Sequence, residues 1–203
     1  MATGLTAARG ARFALFLALA APGASLALDF AAGALATPYR SILRETGLWS
    51  MRLLAAGLLL GPLASLSGIA WLAAPRRMVG LFAAAYAFVH GWAWCRQYGY
   101  DWAFLLGELP RLYLLLGVAA LAALAPMAAT SHDAARRALG AAWGRLHRLA
   151  YAVAIAAVLH FMLSRAFPTP EAWIEALVIS LALAWRLATA RPRARPDGAG
   201  TTV

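Results

Sequence analysis

Three of the four histidines, His90, His147 and His160, lie in or at the start of strongly apolar segments. An imidazole can ligate a metal, relay a proton or hydrogen-bond a buried partner. Deep in a bilayer such side chains are rare, and they mark ion pathways or ligand sites. His147 and His160 stand 13 residues apart on what reads as one helix. At ~1.5 Å of rise per residue that is about 20 Å along the axis. The spacing suits haem irons at two depths of a membrane.

The segments that carry them decide which rings can meet. His90 lies 13 residues beyond Arg77, and His160 lies 13 residues beyond His147, which sits beside Arg145 and Arg148. Both segments run in the same direction, so His90 and His160 match in depth in the outer half of the membrane. His147 is level with Arg76 and Arg77 near the inner face. Matching depth on two helices is what a bis-imidazole haem requires, so His90 and His160 are the expected axial ligands. Ala83 and Ala87 share the His90 face, with Tyr86 and Trp94 a turn either side; Val153, Ala156 and Ala157 precede His160, and Ser164 follows it. Gly140, Gly144 and Tyr151 neighbour His147. Small residues let a flat macrocycle approach the backbone, although they also serve ordinary helix packing in membranes. His132 reads as an exposed residue at a helix start that Thr130 or Ser131 caps.

Other chemistries find little support. The single Cys95 excludes an internal disulfide and a cysteine-based zinc or iron–sulfur site. No Gly-rich nucleotide motif and no nucleophile–base set stands out. A proton relay would want buried carboxylates, and only Asp29 is placed for that. The pattern favours passing electrons over transforming a substrate.

The positioning elements follow from composition. Of 203 residues, 63% are hydrophobic and 13% charged, with a mean hydropathy of +0.69. A soluble domain would carry nearer a quarter charged residues. Long continuous apolar runs exclude a barrel's short alternating segments. The expectation is an all-α integral membrane protein, a six-transmembrane-helix bundle embedded in the lipid bilayer. The spans are expected near residues 13–35, 49–72, 78–98, 112–129, 149–167 and 173–190. Pro38, Pro75, Pro110, Pro168 and Pro170 punctuate the connectors. Arg9, Arg12 and the apolar run after them resemble a cleavable signal peptide, but Phe30 to Leu35 extend the run past Asp29, which favours a retained span.

The formal charge of +10 comes from 18 basic residues, all arginine, lying between the apolar runs. They form no aromatic-interleaved basic face, so no nucleic-acid partner is expected. They orient the bundle instead. Twelve arginines gather on the side of the N-terminus, Arg76–Arg77, the connector 130–148 and the tail, against Asp133 and Asp197. Six arginines and six acids lie opposite. The arginine-rich side should be cytoplasmic, with both termini inside. The expected organisation is a cytoplasmic N-terminus at 1–12, the haem-bearing transmembrane domain at 13–190 and a disordered cytoplasmic tail at 191–203.

Arg76-Arg77-x-x-Gly80-Leu81 leading to Tyr86 and His90 resembles the third helix of the ferric-reductase-like transmembrane superfamily. So does Thr130-Ser131 followed by Arg137, Leu139-Gly140, Trp143, Leu146-His147-Arg148, Tyr151 and His160. Thr46-Gly47 is consistent, and the resemblance spans roughly residues 30–190. Within the superfamily it points to the haem-binding membrane subunits of protein-methionine-sulfoxide reductase systems. The resemblance implies haem b in a bacterial inner membrane, fed by the quinone pool or a cytosolic flavin reductase. The implied recipient is a separate periplasmic molybdopterin enzyme that repairs oxidised envelope proteins. An FMN is implied by resemblance alone.

One departure concerns haem number. Two-haem relatives carry two histidines on each of two helices, whereas the third span here has only His90, with Arg76 or Arg77 at the depth of His147. His147 then either binds a second haem without a histidine partner or joins the arginines at its depth, Arg76 and Arg77, in holding propionates or a quinone headgroup; Arg77 and Tyr151 count with the histidines as expected cofactor-binding residues. No flavin or nicotinamide domain follows the sixth span, so direct oxidation of NADPH is not expected. The alternatives are a stand-alone transmembrane ferric or quinone reductase and a small histidine-using transporter. Missing inverted repeats count against the transporter.

Overall fold

The computed structural model describes residues 2–164 and 169–189, with side chains from residue 9 onward. All regular structure among them is helical: α1 (Ala2–Ala31), α2 (Pro38–Ser67), a 3₁₀ turn at Ala70–Ala73, α3 (Arg76–Gln97), α4 (Trp102–Glu108), α5 (Leu112–Ala129), α6 (Asp133–Leu139), α7 (Ala141–His147), α8 (Leu149–Leu163) and α9 (Pro170–Thr189). Six stretches are long and apolar enough to cross a membrane: Arg9–Ala31, Pro38–Ser67, Ala70–Gln97, Leu112–Ala129, Ala141–Leu163 and Pro170–Thr189. The six-helix architecture expected from hydropathy is the one observed.

Several boundaries differ from the hydropathy reading, among them the start of the third span, at Ala70 rather than residue 78. The second span starts at Pro38 rather than residue 49, because proline at the first helical position is preset for the helix and lacks only an orphan N–H. Arg40, Arg44 and Glu45 therefore ride on a helix, where apolarity alone saw a connector. The fifth span starts at Ala141, with α7 and α8 separated at Arg148. Residues 165–168, which hold the end of the fifth expected span at 167 and the connector Pro168, and 190–203, including the tail expected to be disordered, lie outside the described residues.

Leucine and tryptophan side chains cover the outside, among them Leu66, Leu106, Trp173, Leu177 and Leu187, all more than half exposed. The buried positions are dominated by alanine: Ala55, Ala83, Ala84, Ala93, Ala154 and Ala182. Lipid tails are as apolar as leucine, so burying a leucine gains little there. Small residues that let backbones approach hold such bundles together. Three clusters result. Met51, Ala55 and Leu58 of α2 meet Ala154 of α8 and Ile179 and Ala182 of α9. Ala84 and Ala87 of α3 meet Ala120, Leu124 and Met127 of α5 and Val153 of α8. Leu53 of α2 meets Val79, Ala83 and Tyr86 of α3. The Ser50 hydroxyl donates to the Ala83 carbonyl at 2.9 Å and ties α2 to α3.

Tyr86 faces α1, not a cofactor face of α3. Its hydroxyl accepts from the Gly23 N–H at 2.9 Å and donates to the Leu19 carbonyl at 2.9 Å. Those two groups would bond each other in an unbroken helix. Pro22 stands between them and loosens the ladder, so an outside hydroxyl can insert. The insertion docks an otherwise peripheral α1 on the bundle.

At the arginine-rich end Arg77 forms an ion pair with Asp133 at the start of α6. The hydrogen bond and charge of Arg77 hold the Asp133 carboxyl below its ordinary range, with Arg137 and Arg136 adding to the effect. His132, rather than Thr130 or Ser131, caps α6, its Nδ1 accepting the Ala135 N–H at 3.1 Å. The two hydroxyls fold back onto the open last turn of α5, donating to the Pro126 and Met127 carbonyls, each at 2.7 Å. Gly140, at φ +49°, turns the chain from α6 into α7, a conformation in which a side chain would be strained.

Candidate cofactor site

The bundle brings the rings of His90 of α3 and His160 of α8 together, with centroids 6.0 Å apart and planes at 88°. Each ring is held in the same way by a different neighbour. His90 Nδ1 donates to the Leu43 carbonyl on α2 at 2.7 Å. His160 Nδ1 donates to the Tyr113 carbonyl on α5 at 2.6 Å. A carbonyl oxygen only accepts, so the proton is assigned to Nδ1 and Nε2 keeps its lone pair for a ligand.

Both contacts depend on a glycine one turn further along the supporting helix. A Cβ on Gly47 would lie 2.6 Å from His90 Nδ1, and one on Gly117 would lie 2.8 Å from His160 Nδ1. No side chain fits there, so the rings reach the backbone only because these positions are glycine. Each hydrogen bond spans 47 residues of sequence. Leu43, Gly47 and His90 recur 70 residues later as Tyr113, Gly117 and His160. The α2–α3 and α5–α8 pairs run in the same sense, a parallel repeat rather than an inverted one.

The rings border a cavity of about 660 Å³ between α2, α3, α5 and α8, within the range of cofactor pockets. Its walls include Leu54, Ala87, Leu121, Val153 and Ala157, with Trp94 and Ser164 towards the end away from Arg76 and Arg186. Two imidazoles pointing at one ion, each with a metal–nitrogen bond of about 2 Å, place their ring centroids roughly 6 Å apart. The observed separation fits. No group of three or more His, Cys, Asp or Glu side chains able to hold a metal occurs among the described residues. An ion between these rings would take its remaining ligands from a flat macrocycle, and the apolar walls suit one.

Two residues that hydropathy assigned to a connector border the same cavity. Arg40 and Arg44 lie one turn apart on the face of α2 that carries Leu43 and Gly47. Neither has a carboxylate partner among the described residues. Their i, i+4 spacing beside a glycine is the sequence signal that could have found them. They leave two positive charges at the mouth of an apolar pocket, matched to a ligand with acidic edge groups.

The other singled-out residues lie elsewhere. His147 stacks on Trp143 at 3.9 Å, with Ser131 Oγ 3.3 Å from Nε2 and the Trp143 carbonyl 3.1 Å from Nδ1. It does not border the cavity. Arg77 is engaged with Asp133. Tyr151 packs against the α2–α8–α9 cluster, with the Arg186 guanidinium 5.8 Å from its ring centroid. The structure thus joins His90 to His160 and leaves His147, Arg77 and Tyr151 in separate contacts at the arginine-rich end.

The family model described as "Ferric reductase like transmembrane component" matches residues 46–158, the stretch from Thr46 through most of α8. Similar proteins include the "Protein-methionine-sulfoxide reductase heme-binding subunit MsrQ" of Xanthomonas campestris pv. campestris (strain 8004), 39% identical over 155 residues that cover 75% of this chain and 71% of that one. The protein of that name from Polaromonas naphthalenivorans (strain CJ2) is 36% identical over 158 residues, covering 75% and 72%. That from Bordetella pertussis (strain Tohama I) is 35% identical over 161 residues, covering 77% and 78%.

Proposed function

Because the chain belongs to the ferric reductase like transmembrane component family, among the MsrQ heme-binding subunits, we propose that it carries electrons across the bacterial inner membrane on haem b. The donor is the quinone pool or a cytosolic flavin reductase. The recipient is a periplasmic MsrP-like molybdopterin subunit that reduces methionine sulfoxide in oxidised proteins. The observation that carries the reading is the His90–His160 pair across the cavity, each ring fixed through Nδ1.

Bound haem supplies a one-electron carrier that cycles between ferric and ferrous iron. The chain's residues do the rest. His90 and His160 would hold the iron through Nε2, the nitrogen that the Nδ1 hydrogen bonds leave free. The Leu43 and Tyr113 carbonyls fix both tautomers and raise the basicity of the rings as ligands. Leu54, Leu121 and Val153 keep water from the cavity and lower its dielectric. Arg40 and Arg44, which line the cavity, would pair with the haem carboxylates. With the arginine-rich end cytoplasmic, the mouth lies on the periplasmic side, where the recipient docks. His147 lies on the donor side, for a second haem, a propionate or a quinone headgroup. FMN remains part of the reading through the family alone.

The test is a dithionite-reduced minus oxidised spectrum of the purified chain with haem quantified, followed by reduction with quinol and reoxidation by a periplasmic methionine sulfoxide reductase given its substrate. A sharp b-type band that is bleached by the partner supports the reading. A colourless chain after expression with ample haem would end it. Rapid reduction of ferric chelates without a partner would favour a stand-alone ferric reductase.

A further inference from the structure

Adjacent arginines at the start of α3 point in different directions. Arg77 is exposed and paired with Asp133, whereas Arg76 turns inward, half-buried. It meets Arg186 from the last turn of α9. Both guanidiniums converge on Gly61 of α2. A Cβ on Gly61 would lie 2.5 Å from Arg76 Nη2 and 2.6 Å from Arg186 Nη2. The Nε atoms of both arginines are buried without a hydrogen-bond partner among the described residues. Neither side chain has an ion-pair partner there. The Tyr151 ring lies beside Arg186, and the N-terminus of α3 adds its positive dipole end.

Arginines at the end of a span ordinarily extend outward to water and headgroups. Two that turn towards each other in a half-buried notch repel, and they lose hydration that nothing among the described residues replaces. An oxyanion removes both costs, since guanidinium forks match phosphate and carboxylate oxygens in pairs. Haem carboxylates at the His90–His160 cavity do not reach the notch, because Arg76 and His90 are separated by roughly 21 Å of helix at ~1.5 Å per residue. The notch also lies where a span ends, at the level of headgroup phosphates.

We infer that the notch formed by Gly61, Arg76, Tyr151 and Arg186 binds a phosphate group, carried by an anionic lipid headgroup or by a soluble phosphate ester. Gly61 leaves room for both guanidiniums, and Tyr151 fixes the plane of Arg186. The site is separate from the His90–His160 cavity and does not depend on it.

The experiment follows the thermal midpoint of the purified full-length chain in detergent. Titrants are short-chain phosphatidylglycerol, short-chain phosphatidylcholine and inorganic phosphate. The expected result is a saturable rise with phosphatidylglycerol or with inorganic phosphate, and none with phosphatidylcholine. Response to the lipid alone identifies a headgroup as the source; response to inorganic phosphate identifies a soluble ester. Arg76→Gln and Arg186→Gln should each weaken the response by about tenfold or more, whereas Arg148→Gln leaves it unchanged. Gly61→Ala keeps both charges but forces them apart, and should weaken it too. The haem spectrum of each variant reports whether the bundle has folded. The proposal is overturned if no anion raises the midpoint, if the arginine and glycine variants respond like the parent, or if a response appears only in Asp197→Asn, which would mean that the chain's own carboxylate fills the notch.

Discussion

Gly47 stands so close to His90 that a Cβ on it would lie 2.6 Å from the ring's Nδ1. The ring occupies the space of the missing side chain and hydrogen-bonds the Leu43 carbonyl one turn earlier. Gly117, Tyr113 and His160 repeat the arrangement. The position of each imidazole is thus set by a residue on another helix, 43 positions earlier in the chain.

In a helix interior, alanine is favoured over glycine by about 1 kcal/mol. Gly47→Ala and Gly117→Ala should therefore keep the helices intact while pushing the imidazole off its carbonyl. Loss of such an outer-shell contact weakens metal binding by about 10- to 100-fold. Haem retained per chain should fall accordingly. Where haem remains, its midpoint potential should rise, because a less basic ligand stabilises ferric iron less. Unchanged occupancy and potential in both variants would show that the contact does not matter.

The three histidines should separate by spectrum. His90→Ala and His160→Ala each remove one of the two proposed haem ligands, and each should abolish the low-spin b-type spectrum. His147 lies outside the cavity, stacked on Trp143, so His147→Ala should leave that spectrum intact. If a second haem is bound at the arginine-rich end, the same variant loses half the total haem. Full haem occupancy in both His90→Ala and His160→Ala would refute the pairing.

The spans and the equal depth of His90 and His160 were legible in sequence, because long apolar runs and 13-residue offsets from arginines need only the helical rise. The facing of individual residues was not. Successive residues turn by about 100° around a helix, so which of Arg76 and Arg77 points inward depends on where α2 and α9 sit. Tyr86 looked like a neighbour of the cofactor, yet Pro22 on a distant helix opens the gap that its hydroxyl fills. Gly47 and Gly117 were invisible among 17 glycines, since their meaning lies in a contact 43 residues away. The offset of 70 residues that links them, and the two histidines after them, could have been read from the sequence.

The Tyr86 hydroxyl ties α1 to the bundle through two hydrogen bonds. Tyr86→Phe leaves the Gly23 N–H and Leu19 carbonyl without it, at about 1–3 kcal/mol for the groups exposed. Limited proteolysis before Pro38 should accelerate in this variant, with the haem spectrum preserved. The intact mass of the parent should include α1, as expected of a retained span; a mass that starts after residue 27 would show a cleaved one.

Arg77 and Asp133 set a pH dependence of known sign. The Asp133 carboxyl titrates below its ordinary value because of Arg77. A carboxyl depressed in the folded state contributes stability above its unfolded pKa, about 3.9, and loses it as pH falls through the lower folded value. The thermal midpoint of Asp133→Asn should therefore lie slightly below that of the parent at pH 7, and the two should converge in strong acid. Salt should narrow the gap, since the pair is exposed. A gap that widens below pH 4 would contradict the sign.

Arg40 and Arg44 offer the sharpest test of how the cavity holds its ligand. Both border it without a carboxylate partner among the described residues. A positive charge near the iron favours the reduced state, which carries one positive charge fewer. Arg40→Gln or Arg44→Gln should thus lower the midpoint potential, by up to roughly 59 mV, a tenfold change in a one-electron equilibrium constant. The position of the absorption band should hold, because the proposed ligands His90 and His160 are untouched. Arg96 supplies the control: it lies at the same end of the bundle but packs over Tyr39 and is not part of the cavity wall. Arg96→Gln should leave the potential unchanged. If it lowers the potential as much as the other two, the effect is one of general surface charge, and Arg40 and Arg44 do not hold the haem carboxylates.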